Sequence, residues 1–95
     1  MRRRTAEDMA SRILGWLAGA GHWESFAAET GTDPDSFRAA MAEDDTRGWA
    51  LGAVVDFVMT RDDWVRDAAF AAGIEPEDLA HVRRALPGGQ PIHWT

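Results

Sequence analysis

The chain has no cysteine, no lysine and no tyrosine, and only four prolines. Without cysteine there are no disulfides, thiolate nucleophiles or cysteine-type zinc sites, a pattern that fits a reducing cytoplasm. Without lysine, all ten basic residues are arginines, and with seventeen alanines the composition leans towards helix. The alanine, arginine and glycine bias reads as codon bias. Long apolar runs are also missing. The longest, Trp49 to Met59, is too short to span a bilayer and carries Asp56 inside it. Arg2-Arg3-Arg4 is followed by Glu7 and Asp8 rather than by the apolar stretch of a secretion signal, so it reads as a solvated N-terminal arm on a soluble, cytoplasmic protein. Cations are in deficit. Sixteen acidic residues against ten basic give a net charge of −6, which works against non-specific binding to nucleic acid or to an anionic membrane.

What is present is a unit written twice. Gly31-Thr32-Asp33-Pro34-Asp35-Ser36-Phe37 is echoed by Gly73-Ile74-Glu75-Pro76-Glu77-Asp78-Leu79. Upstream, Ile13-Leu14-Gly15-Trp16-Leu17 answers Val54-Val55-Asp56-Phe57-Val58, and Trp23 answers Trp64. Ninety-five residues allow a single domain. It divides into unit one at about 5–42, unit two at about 45–86 and a C-terminal tail at 87–95.

Periodicity and capping predict six helices and no strand. Thr5 with Asp8 approximates a capping box and starts a first helix near Ala6. Met9, Ala10, Ile13, Leu14, Trp16 and Leu17 form its inner side, and Gly19 and Gly21 end it. A second helix from about His22 to Thr30 turns Trp23, Phe26, Ala27 and Thr30 inward and is closed by Gly31. Asp33 then caps and Pro34 opens a third helix, with Asp35 at the positive end of its dipole and Phe37, Ala40 and Met41 facing in. Asp44, Asp45 or Thr46 caps a fourth helix that is apolar around most of its circumference, the mark of a central, buried element. Asp62 or Asp63 starts a fifth, closed by Gly73. Glu75-Pro76 repeats the cap for a sixth, which shows Leu79, Val82 and Leu86 inward and sets Arg83 and Arg84 at its negative end.

This order of elements resembles a known family. It comprises a helix, a Trp-led helix, Gly31-x-x-Pro34, the central Val54-Val55-Asp56-Phe57-Val58 helix, a second Gly73-x-x-Pro76 unit and a terminal His93-Trp94. Over residues 9–94 the chain is similar to short alphaproteobacterial proteins of unknown function, number 3572 in the domain-of-unknown-function series. Ala68 departs from the aromatic which that family carries at the place matching Phe26. The resemblance implies a small helical cytoplasmic protein and assigns no catalytic or binding residue.

Four constellations bear on function. Ala27, Gly31 and Phe37, and again Ala69, Gly73 and Leu79, have helix–turn–helix spacing. Reading DNA, however, needs donors and cations where the second helix begins, and those places hold Asp33, Asp35, Glu75, Glu77 and Asp78. An ordinary αα-turn is the better reading. Gly48-x-x-x-Gly52-x-x-x-Asp56 makes a small-residue notch, seating either a partner helix with Asp56 as polar contact or, by preference, one of the chain's own helices. Trp16, Trp23, Trp49 and Trp64 lie on or beside apolar faces and read as core. Phe70 lies off the inner face of its helix. Either it packs under Ile92 and Trp94 of the tail, or all three are open to a partner. No nucleophile motif, metal-binding motif or phosphate-cradling glycine run is present, and His22 beside Glu24 and Glu29 reads as a solvated helix start.

The expectation is therefore an all-α bundle acting as a protein–protein interaction or adaptor module, with neither catalysis nor cofactor nor metal. Asp56, Phe70, Ile92 and Trp94 are the candidate contact residues, and the partner is a protein rather than nucleic acid or membrane. The alternative is a helix–turn–helix-like DNA-binding protein connected with transcription.

Overall fold

The computed structural model describes residues 1–88. Six helices follow one another in these residues: α1 (Arg3–Gly19), α2 (Trp23–Thr30), α3 (Pro34–Ala42), α4 (Asp44–Met59), α5 (Asp62–Ala72) and α6 (Asp78–Arg84). α4 is the hub, packed against α1, α3, α5 and α6, while α1 also crosses α5 and α6. Leu51, Val54, Val55, Phe57 and Val58 of α4 meet Ala6, Ala10, Ile13 and Leu17 of α1 in one buried cluster. Ala68, Ala69 and Ala72 of α5 and Leu79 and Val82 of α6 complete it, together with Leu86 just beyond. The apolar circumference of α4 is thus explained: gaps between neighbouring helices leave only part of its surface in water.

α2 depends on aromatic packing. Eight residues are too few to hold a helix in isolation. Phe26 is fully buried, its ring 5.4 Å from Phe57 of α4, and Trp23 and Phe37 lie against it at 5.3 and 5.8 Å. Burying such a side chain contributes about 1.5–3 kcal/mol, and each edge-to-face aromatic pair adds about 1 kcal/mol, enough to order two turns of helix. Thr30, placed inward by its spacing, is instead exposed, and its hydroxyl bonds back to the Phe26 carbonyl. Gly31 and Gly73 both adopt the left-handed conformation, φ 70° and 74°, as closing residues of α2 and α5. In α3 the Asp33 carboxylate accepts from the Ser36 amide at 3.0 Å, with Pro34 in the first turn.

Four local readings are corrected. α1 begins at Arg3, not near Ala6, and Thr5 lies inside it without capping. Arg2-Arg3-Arg4 is therefore not a free arm. The Arg3 guanidinium pairs with Glu7 at 2.8 Å and donates to the carbonyl of Asp44, at the head of α4, so a long-range contact extends the helix. α4 is flanked by Glu43 and has no side-chain cap, while Asp44 and Asp45 occupy its first turn, where their charge suits the dipole. The Thr46 hydroxyl instead donates to the Ala40 carbonyl at 2.7 Å and ties α4 to α3. Glu75 does not cap α6, which starts at Asp78 after a turn, and the Asp78 carboxylate accepts from the Glu75 amide at 3.2 Å. Finally, Trp49 is not core. It is 60% exposed, because no helix among the described residues lies over its side of α4.

Candidate functional site

The surface of α4 divides into three strips. The first carries Gly48, Gly52 and Asp56, and the end of the α6 segment fills it. A methyl group on Gly48 would lie 2.6 Å from Cδ of Pro87, and one on Gly52 would lie 3.0 Å from an Arg83 nitrogen and 3.2 Å from the Pro87 carbonyl oxygen. Arg83 donates from Nε to the Asp56 carboxylate and from Nη1 to the Pro87 carbonyl. The notch thus holds a segment of its own chain, and Asp56 is tied down as the acceptor of that clamp. The guanidinium is largely covered while the carboxylate faces solvent at its far side.

The second strip, by the 100° step of the helix, is the ridge formed by Trp49 and Ala53. The third is the flank of Ala50 and Phe57, which looks towards α2 and α3. Between ridge and turn lies an apolar groove of about 510 Å³ lined by Trp49, Ala50 and Ala53 from α4 and by Thr32, Phe37 and Ala40 from the other wall. At Ala53 it runs on into a depression of about 480 Å³ bounded by Glu29, Asp56, Phe57 and Thr60. Asp33 and Ser36 stand at the first groove's edge, so carboxylates border apolar ground at both ends. On the other side of α3, Phe37 also borders a hollow of about 430 Å³ shared with Leu14, Trp23 and Met41. One half-buried ring therefore separates two open apolar surfaces.

A second array lies beyond the groove. His22 stacks on Trp64 with ring centroids 4.1 Å apart, and Trp16 closes against both rings at 5.4 and 6.2 Å. The Arg61 guanidinium lies 4.4 Å from the Trp64 ring and is held by Glu29 at 2.6 Å. With its face on Trp64 and its partner in Glu29, this cation acts as a structural rivet between α2 and α5. His22 and Glu29 are thereby committed to different contacts. Among the described residues no three His, Asp or Glu side chains converge as a metal-binding set.

Phe70 is 88% exposed on the outer side of α5, with exposed Asp67 and Ala71 beside it. Ile92 and Trp94 lie outside the described residues. Of the four candidates, then, Asp56 borders the groove and Phe70 stands on a separate element. Sequence reasoning passed over Trp49, Ala50 and Ala53. The available signal is the tryptophan beside the small-residue stripe, which its apolar neighbours in sequence make read as core. At the helix–turn–helix positions, Asp33 is used as a cap and Arg38 leans on Asp35 at 3.4 Å. The starts of α3 and α6 therefore present carboxylates.

The fold defines a small all-α bundle of six helices among the described residues, and none of them is long and apolar enough to cross a membrane. A family model described as "Protein of unknown function (DUF3572)" matches residues 3–89, nearly the whole chain, and the protein belongs to that family. No curated protein and no solved structure matches it.

Proposed function

We propose that the protein is a protein–protein interaction module of the cytoplasm, without catalytic activity, which receives a segment of its partner in the groove between α4 and the α2–α3 turn. The observation that carries this reading is Trp49. A tryptophan left 60% exposed beside Ala50, Ala53 and Phe37 offers a wide apolar surface without the large cost of unpacking a core. Phe70 is more exposed, but it is the one large exposed hydrophobe of α5, and isolated exposed hydrophobes are common on any protein. Because Glu29 and Asp56 at its border are already paired with Arg61 and Arg83, the groove suits a partner segment held by apolar side chains.

The test is co-purification from the native cytoplasm with Trp49→Ser and Phe70→Ser variants. Loss of the same partner with Trp49→Ser alone is the expected result. Loss with Phe70→Ser alone moves the interface to α5, and retention in both overturns the reading. The DNA-binding alternative is weakened by the carboxylates at the starts of α3 and α6, which would face phosphates. A gel shift at low salt is expected to show no retardation of duplex DNA.

A further inference from the structure

Residues 22–43 are set into the molecule differently from the rest. Among the described residues, Phe26 is the one buried apolar side chain that α2 and α3 contribute. Every other member of the buried core belongs to α1, α4, α5 or α6, or is Leu86. The packing divides in the same way. α1, α4, α5 and α6 each pack on the other three, whereas α3 packs chiefly on α4 and α2 enters none of the main helix packings. Four helices thus close a core by themselves, and the α2–α3 hairpin lies over one side of it. Its two ends are natural pivots. At one, Gly21 turns the chain at φ 81° and His22 is stacked on Trp64. At the other, Glu43 is a single extended residue between α3 and α4, at φ −109° and ψ 133°. The bonds from Thr46 to the Ala40 carbonyl and from Arg47 Nε to the Met41 carbonyl both lie at this second pivot. Between the pivots the hairpin is fastened by Phe26 on Phe57, by Glu29 on Arg61 and by the half-buried rings of Trp23 and Phe37. Segments that bury so few apolar side chains sit at the low end of local stability.

We propose that the α2–α3 hairpin is a lid, which opens as one unit on pivots at Gly21 and Glu43 while α1, α4, α5 and α6 stay folded. All three apolar depressions have this hairpin as a wall: Phe37 in the groove, Thr30 in its extension and Trp23 in the hollow against Leu14. Withdrawing Phe26 bares Phe57 and joins the three into one apolar face of α1 and α4. Opening of the lid therefore sets how much surface the groove presents. The inference shares its groove with the interaction reading but does not rest on it, because the opening is measured without any partner.

The test is native-state amide hydrogen exchange on the full chain. The hydrogen-bonded amides of α2 and α3 should be at least about 100-fold less protected than those of Val54, Val55 and Val58 in α4. Val82→Ala changes a core helix that has no main packing against the hairpin. It should speed exchange in α4 about tenfold and leave α2 and α3 within about twofold, because Val82 is packed whether the lid is open or closed. Phe26→Leu should speed α2 and α3 by one common factor of about fivefold or more. Glu29→Gln, which leaves the core untouched, should speed both by about twofold. Equal protection of all six helices, with Val82→Ala speeding them alike, overturns the proposal, since the bundle then opens only as a whole. So does acceleration by Phe26→Leu and Glu29→Gln that is confined to α2, because the two helices then fray singly.

Discussion

In the first turn unit Gly31 closes α2 at φ 70°, and Phe37, six residues on, stays half-exposed; α3 has no buried residue at all. In the second, Gly73 closes α5 at φ 74°, and the matching Leu79 is 1% exposed, with Ala68, Ala69, Ala72 and Val82 also inside. The same corner-turning backbone serves two different ends. α5 and α6 both meet α1 and α4, so their apolar sides are covered from two directions. α3 packs chiefly on α4, and its free flanks become walls of grooves. A duplicated turn thus supplies one half that completes the core and one half that leaves apolar surface available. That asymmetry, rather than the shared motif, is where binding is to be sought.

The largest test of the contrast is truncation at the matched hydrophobes. Leu79→Ala empties a closed site and should cost about 2–5 kcal/mol, up to half the stability of a domain this size. Phe37→Ala removes a larger side chain from a half-open site and should cost only about 1–2 kcal/mol, since water already reaches it. Urea unfolding with an unchanged slope checks both. A greater loss at Phe37 than at Leu79 would break the comparison outright.

The two sides of α4 provide the next test. Gly48→Ala drives a methyl into the Pro87 ring, which is not a flexible chain end that can swing aside, and should cost about 1–3 kcal/mol. Ala53→Leu, one turn further along and facing the groove, should change stability by about 0.5 kcal/mol or less, because the added carbons enter open space. Thermal unfolding of the two variants reads the difference. Equal losses would mean that the groove side is as closely packed as the notch.

Much of the fold was legible in the sequence because helix closures and caps are local. Gly31, Gly73, Asp33 and Pro34 act through backbone conformation and one or two hydrogen bonds within a turn, and the inner stripes of α1 and α6 follow from spacing alone. What was not legible depends on distant partners. α1 gains its first turn through a bond from Arg3 to a carbonyl forty-one residues away. Trp49 has the neighbours of a core residue in sequence, yet no helix among the described residues is laid over its side of α4. For the site, the notch, Asp56 and Phe70 could be singled out from spacing. The groove could not, since its walls come from α4 and from the α2–α3 turn, and its existence rests on how lightly α3 is covered.

Where the copies agree in structure, they should agree in response. Gly31→Ala and Gly73→Ala both force a side chain into the left-handed region with open space around it, so strain alone acts and each should cost about 1–2 kcal/mol. A gap of more than about 0.5 kcal/mol between them, measured in urea, would show that burial reaches back into the turn.

The smallest effect separates the copies again, at their caps. In the first, the Asp33 side chain accepts from the Ser36 amide; in the second, the bond runs the other way round, the Asp78 side chain accepting from the Glu75 amide. The first is an N-cap bond of α3, whereas the second closes the turn that precedes α6. Asp33→Ala should therefore cost about 1 kcal/mol, while Glu75→Ala, which removes a side chain with no capping bond, should cost close to nothing. Asp78→Ala should behave like Asp33→Ala at about 0.5–1 kcal/mol. If Glu75→Ala matched Asp33→Ala, the second corner would be held by the same bond as the first, and the two turns would differ in burial alone.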